Sequence, residues 1–345
     1  MSNSDLIIRV EGRVGYITLT RPKVLNAVNE AIVAGMTEAL GRWASDPSIS
    51  LVMVDSDSER AFSAGGDLSA MYEHGRAGRF DAGNAFWREE YRLNAMIASY
   101  PKPYVAFMDG IVMGGGVGLS VHGSHRIVTD NSVVAMPECS IGLITDVGGT
   151  YLLHQAPGHL GEFLGLTGTR MNGADAIYAN FADHYVEREK LVALKARLID
   201  TGDAAAIAEF SSSPPTSVLA GRQAEIDRAF SGETVHDIVD HLRELSSEWA
   251  VKALEAIRRG SPISLQATLK AIRDAHTLEI GIRNEYRFVS RVLEHGDFIE
   301  GIRAVIVDKD RNPHWKYAGL DDVPRELLAL MMQEAEGGDL QLPAR

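Results

Sequence analysis

Residues 136–150 read MPECSIGLITDVGGT and place two carboxylates, Glu138 and Asp146, eight positions apart in a largely apolar, glycine-containing run. Few charges lie nearby to pair with them. Acids so placed sit either exposed at a cleft or buried with a raised pKa, and both settings suit acid–base or nucleophilic work. Each also has a plain structural use: Glu138 as the cap of a turn or helix, Asp146 as the N-cap of a helix beginning near Val147. A second acidic segment, FWREEYRLN at 86–94, carries Glu89 and Glu90 in a helix-like run. There Arg88 and Arg92 can form surface pairs at i+3 or i+4 spacing with at least one of them.

Two loops supply a different chemistry. AFSAGGD at 61–67 and DGIVMGGGVG at 109–118 each follow a strand-like run and precede a helix-like one. Glycine lets a ligand approach the main chain closely, and a helix N-terminus presents unpaired N–H groups, so together the loops could hold an oxyanion. Two tight turns with close helix packing explain the same glycines. Neither loop is a nucleotide signature: GGGVGLSVHG fails G-x-G-x-x-G, and G-x-x-x-x-G-K-[ST] is absent. GLSVHG also misses G-x-S-x-G by one residue, which leaves Ser120 as a small packed helix residue rather than a nucleophile. His122 and His125 in VHGSH lack an acid at ligand spacing, and no metal is expected.

The elements that must carry these residues follow from periodicity. LIIRV, VGYITLT, SLVMVDS, PYVAFMDG, RIVTD and SVVAM read as short strands, NEAIVAGMTEALGRWAS as a helix, and the first two strands as a pair. That alternation predicts an α/β core over residues 1–200, with helices and a short HYV strand between Gly158 and Asp200. From Asp203, after which comes the loop SSSPPTS at 211–217, strand signals vanish and runs of helical period predict a helical C-terminal region over 201–345, suited to capping or oligomerisation. The tail EAEGGDLQLPAR is polar enough to fray.

Composition narrows the function classes. The 345 residues contain 34 basic and 47 acidic side chains, a formal charge of -13, which argues against a broad nucleic-acid or anionic-membrane surface. One cysteine, Cys139, excludes an intramolecular disulfide framework and suits a reducing compartment. The start shows no basic segment followed by an apolar run, and no 18-residue apolar span occurs, so a cytoplasmic protein without a membrane anchor is expected.

Four segments in order, ITLTRPKVLNAV, AFSAGGDLSAMYE, PKPYVAFMDGIVMGGGVGLSVHG and AMPECSIGLITDVGGTYLL, resemble the crotonase (enoyl-CoA hydratase/isomerase) superfamily, whose members act on acyl-CoA thioesters. The resemblance spans most of the chain and implies a crotonase-like spiral of ββα units. It also implies an oxyanion hole made by the N–H groups of Gly66 and Gly115, and coenzyme A contacts around Lys23, Ala64, Gly65, Gly66 and Asp67. Within the superfamily the details resemble the branch that hydrolyses 3-hydroxyisobutyryl-CoA in valine degradation. Hydratases usually carry glycine where Asp146 stands and a catalytic glutamate where this chain has Gly118. FWREEYRLN and the ending DFIEGIRAVIVDKDRNPHW also match that branch. One departure is Thr145, where the branch usually has proline, a change that would loosen the acyl pocket.

By this resemblance Glu138 delivers the nucleophile, either by attacking the thioester or by activating water. Asp146 positions the water or holds the substrate's 3-hydroxyl, and Glu90 helps bind that polar end. No cofactor is implied beyond the coenzyme A of the substrate, and superfamily members commonly form trimers or pairs of trimers. Hydration or isomerisation by the same fold, and non-catalytic acyl-CoA binding, are the competing readings.

Overall fold

A computed structural model describes residues 5–245 and 247–342. Its strands are β1 (Leu6–Glu11), β2 (Val14–Leu19), β3 (Leu51–Ser56), β4 (Ala61–Ser63), β5 (Tyr104–Met108), β6 (Ile111–Met113), β7 (His125–Val128), β8 (Val133–Ala135) and β9 (His184–Tyr185). The five helices that build the centre are α1 (Glu30–Ala44), α2 (Leu68–Arg76), α3 (Phe80–Ala98), α4 (Gly115–Ser120) and α5 (Gly149–His154).

Six strands form one sheet in the order β1-β2-β3-β5-β7-β9, and β4-β6-β8 form a second. Among the described strands the β1–β2 pair is antiparallel, closing a hairpin over Gly12, and the other strand-to-strand pairings are parallel. Each turn of the chain therefore lays one strand in the larger sheet, one in the smaller, and then a helix: β3-β4-α2, β5-β6-α4, and β7-β8 followed by α5. This is the ββα spiral. Parallel strands need such crossovers, and strands covered on both faces read as continuous apolar runs, as LVMVDS and YVAFM do.

One face of the larger sheet packs Val14, Leu51, Val105 and Ile127 against Leu191, Leu194 and Leu198 of the helix Leu191–Thr201. Burying such a leucine contributes about 1.5–3 kcal/mol. The other face belongs to a larger core that runs without a break from Ile17 and Val54 into Val289 and Phe298. Among the described residues no strand follows β9, and the later helices close over the spiral. The helix Leu278–His295 lies against α3 and α5, and Phe298 beyond it meets Trp87 of α3 at 6.0 Å between ring centroids.

The tail departs from its expected fraying. Arg287 donates to Asp339 at 2.8 Å, Arg291 donates to the carbonyls of Gln333 and Glu334, and Ala335 and Leu340 are buried. Polar composition concealed two arginines on the facing helix that anchor the segment through charge-assisted bonds. Residues 343–345 lie outside the described residues.

Candidate active site

Both glycine loops and both acidic segments meet in one cavity. It is lined by the 64–68 and 113–115 backbones, Met71, Phe86, Trp87, Glu90, Pro137, Glu138, Ile141, Leu143, Asp146, Val147 and Phe298. Most of the wall is apolar; the polar elements are backbone amides and three carboxyls, apart from Asp67 at the rim.

The amides are free because of how their neighbours bond. Val28 N–H donates to Gly65 O and Asp67 N–H donates to Val28 O, each at 2.8 Å, so Gly66 between them has its N–H turned away from that bridge. In the other loop, Gly114 takes φ +47°, ψ -119°, a conformation open essentially to glycine alone, and starts α4 at Gly115. Among the described residues neither Gly66 N–H nor Gly115 N–H has a protein acceptor. They flank a common point: a Cβ placed on Gly115 would lie 3.4 Å from Gly66 N and 3.0 Å from Glu90 Oε1. On Gly114 the same atom would lie 2.9 Å from Glu138 Oε1.

The capping uses available to the two acids are not the ones the fold makes. Glu138 is the first residue of a short 3-10 turn, Glu138–Ile141, whose cap position is taken by Pro137. The helix after Asp146 starts at Gly149 with Gly148 at the cap position, and it is the Asp146 carbonyl, not its carboxyl, that accepts Gly149 N–H. Both carboxyls instead face the cavity and are buried, as is Glu90. Glu89, one residue away on α3, pairs with Arg92 at 2.8 Å on the surface. Helical rotation separates the two adjacent acids, one to solvent and one to the site.

Burial without a cation pushes these acids toward their neutral forms. Asp146 is raised to about 7 by desolvation, partly offset by the hydrogen bond it accepts from Tyr91 Oη at 2.8 Å. Glu138 and Glu90 are held well above the usual carboxylate range by burial and by the Asp146 charge. Glu90 Oε1 and Glu138 Oε2 have no hydrogen-bond partner, so they are open to a ligand or water. The three carboxyls interact, so proton release belongs to the group as a whole.

Two contributors escaped the sequence reading. Tyr91 follows Glu90 directly but was not singled out. Glu285 accepts Gly148 N–H at 2.7 Å, Thr150 N–H at 3.0 Å and the Thr150 hydroxyl, and is itself raised to about 8 by burial. The signal for Glu285 was present: it falls on the apolar stripe of its helix, between Ile282 and Val289, where a charge is out of place. Its turn contains Val147 at φ +55°, a strained conformation for a β-branched residue costing about 1–3 kcal/mol. His122 Nε2 lies 2.7 Å from Val147 O; burial lowers its pKa to about 4, so the neutral ring donates that bond.

Other residues singled out from sequence sit as follows. Ala64, Gly65 and Asp67 line the cavity rim, and Asp67 is tied to Arg21 at 3.0 Å. Lys23 is exposed and outside the cavity lining. Ser120 is buried and donates to Gly116 O, a packing role. Among the described residues no cluster of His, Cys, Asp or Glu has metal-binding geometry, and no helix is long and apolar enough to cross a membrane.

Gly118 faces Asn94 and Val147: a Cβ there would lie 2.7 Å from Asn94 Nδ2 and 2.8 Å from Val147 Cβ. There is no room for a glutamate. Gly118→Glu is expected to lower Tm by at least about 3 °C, the effect of roughly 1 kcal/mol or more of overpacking, and to create no hydration of crotonyl-CoA. Calorimetry and loss of enone absorbance check both parts.

The enoyl-CoA hydratase/isomerase family profile matches residues 14–332. The chain is 40% identical to the mitochondrial 3-hydroxyisobutyryl-CoA hydrolase of Gallus gallus, covering 99% of this chain and 92% of that protein. It is 38% identical to 3-hydroxyisobutyryl-CoA hydrolase 1 of Arabidopsis thaliana, covering 100% and 96%. Among solved structures, one described as an enoyl-CoA hydratase from Rhodobacter sphaeroides superposes with TM-score 0.94 at 44% identity, covering 98% and 100%. Another, described as a carnitinyl-CoA dehydratase from Mycobacterium thermoresistibile, gives TM-score 0.94 at 43%, covering 99% of each chain.

Proposed function

The chain belongs to the enoyl-CoA hydratase/isomerase family, and from that premise we infer that it hydrolyses a short 3-hydroxyacyl-CoA thioester, 3-hydroxyisobutyryl-CoA, to 3-hydroxyisobutyrate and coenzyme A. The curated relatives carry that activity in their names over nearly the whole chain. The names of the two solved structures above point instead to hydration or dehydration. The observation that favours hydrolysis is the distribution of acids. Adding water across a conjugated thioester asks for a base toward water and an acid toward the α-carbon, and the space at Gly118 is filled by Asn94 and Val147. Hydrolysis needs only a polarised carbonyl, a nucleophile, and a proton for the departing thiolate.

In the proposed mechanism the thioester carbonyl oxygen takes the two free N–H groups of Gly66 and Gly115, which stabilise the tetrahedral oxyanion by about 3–4 kcal/mol each. Glu138 delivers the nucleophile: it either attacks the carbonyl carbon, giving an anhydride that water opens, or removes a proton from the attacking water. In the anhydride route the bond to Glu138 forms as the C–S bond breaks, a protonated carboxyl of the cluster gives its proton to the thiolate, and water then opens the anhydride and restores that proton. In the direct route the C–O bond to water forms as the C–S bond breaks, and the proton taken by Glu138 passes to the thiolate. Asp146, oriented by Tyr91, holds the water or the substrate hydroxyl, and Glu90 binds the same polar end. Coenzyme A passes over the 64–67 backbone. The enzyme works without a cofactor of its own, in valine degradation, and assembles as a trimer or pair of trimers. Its single, buried thiol is compatible with the cytosol, and equally with the mitochondrial matrix that the vertebrate relatives' names specify.

Thiol release from 3-hydroxyisobutyryl-CoA, followed alongside the enone absorbance of crotonyl-CoA, tests this reading; enone loss without thiol would make the protein a hydratase. The acid limb tests the cluster. Because Glu138 must be ionised to deliver the nucleophile, and burial together with the Asp146 charge holds its carboxyl well above the usual range, kcat/KM should rise with pH along an acid limb displaced well above ordinary carboxylate titration. A profile flat from about pH 5 to pH 9 would remove these carboxyls from the rate-determining step.

A further inference from the structure

We propose that Glu285 is a positioning residue for the hydrolytic site, holding the Asp146 turn in its reactive shape from the distant helix Leu278–His295. The inference rests on the site described above. Three donors converge on this one carboxyl: Gly148 N–H, Thr150 N–H and the Thr150 hydroxyl. One belongs to the turn that begins with Asp146 and two to the first turn of α5 that follows it, and the chain between passes through two consecutive residues of positive φ, Val147 at φ +55° and Gly148 at φ +76°. A valine does not hold that conformation on its own preference. His122 fixes the Val147 carbonyl on one side and Glu285 gathers the following amides on the other. The Asp146 side chain, bonded to Tyr91, is thereby kept over the cavity.

The charge on Glu285 acts in the same place. The titratable groups that interact with it are Asp146 on the turn, Tyr91 on α3 and Glu138 ahead of the turn, and the neutral His122 holds the Val147 carbonyl beside it. Nearby bases are engaged elsewhere: Arg287 with Asp339, Arg283 nearest the same acid, Arg88 on the Tyr286 hydroxyl, and His154 on Ile272 O. A carboxylate at 285 therefore helps keep Glu138 protonated, and its removal lets Glu138 ionise at lower pH. A purely structural Glu285 would change stability without moving the rate profile.

The test is Glu285→Gln in the full chain, assayed for thiol release and enone loss together. The amide retains one acceptor but turns its NH2 toward an amide donor of the turn, so kcat should fall about 30-fold or more while KM changes less than about threefold. The acid limb should move down by roughly half a pH unit or more. Thr150→Val, which removes only the hydroxyl donor, should lower kcat in the same direction by about 3- to 10-fold, and it decides the matter where Glu285→Gln does not fold. Unchanged kcat and an unmoved limb in the folded variant, whatever its Tm, would overturn the inference. Wild-type turnover by enone loss alone would sink the hydrolase reading separately, and the variants would then be judged on that rate.

Discussion

Glu138→Gln is expected to fold, still take up coenzyme A thioesters, and release thiol about 10³-fold or more slowly than the wild type. Glutamine has the shape of a protonated glutamate, the form that burial favours at this position, so the cavity wall is preserved. What disappears is the ability to become a nucleophile or to accept a proton from water. Binding of a non-hydrolysable thioester analogue, measured by calorimetry beside turnover, separates the two effects. Turnover within tenfold of wild type would remove Glu138 from the mechanism.

The same substitution changes stability with a definite sign. A buried carboxyl whose folded pKa is raised above its unfolded value favours the fold fully below the unfolded pKa, and that contribution is lost as pH rises through the folded pKa. For Asp146 and Glu285 the loss runs from about 4 up to about 7 and 8. The wild type should therefore melt at progressively lower temperature from pH 5 to pH 9, all else in the fold being equal. Glu138→Gln, which removes one buried acid from that set, should melt higher than the wild type at the alkaline end and equal to it near pH 4. Melting curves across that range check the crossing.

Gly115→Ala should cost about 10²–10³ in kcat with little loss of fold. The added methyl group would occupy the point between Gly66 N–H and Glu90, 3.4 Å and 3.0 Å from them, and 3.2 Å from Val28 Cγ2. Those are tight but not impossible contacts, so the chain survives while the carbonyl oxygen is displaced from its two donors. Gly66→Ala is the useful contrast: a Cβ there meets nothing within 4 Å, and its amide is retained. If Gly115→Ala hydrolyses as fast as the wild type, the thioester carbonyl binds elsewhere.

Much of this protein was legible in its residues because local chemistry controlled it. Apolar runs of strand length, the two glycine loops between strand and helix, and the paired acids in MPECSIGLITDVGGT each carry their own periodicity or backbone requirement. They suffice for the α/β core, the helical ending and the chemical types of the candidate site groups. Tertiary structure decided what those groups experience. Eight residues of sequence separation say nothing about whether Glu138 and Asp146 are caps or share a dry cavity; the spiral settles it by bringing the two sheets' loop ends together over α3. Adjacent Glu89 and Glu90 look alike in sequence, and only the packing of α3 sends one to Arg92 and the other into the site. Glu285, more than a hundred residues from the turn it holds, belongs to the site solely because its helix packs across α3 and α5. Local sequence reports backbone preference and side-chain chemistry, whereas pKa, hydrogen-bond partners and proximity are set by burial among elements that meet only in the folded chain.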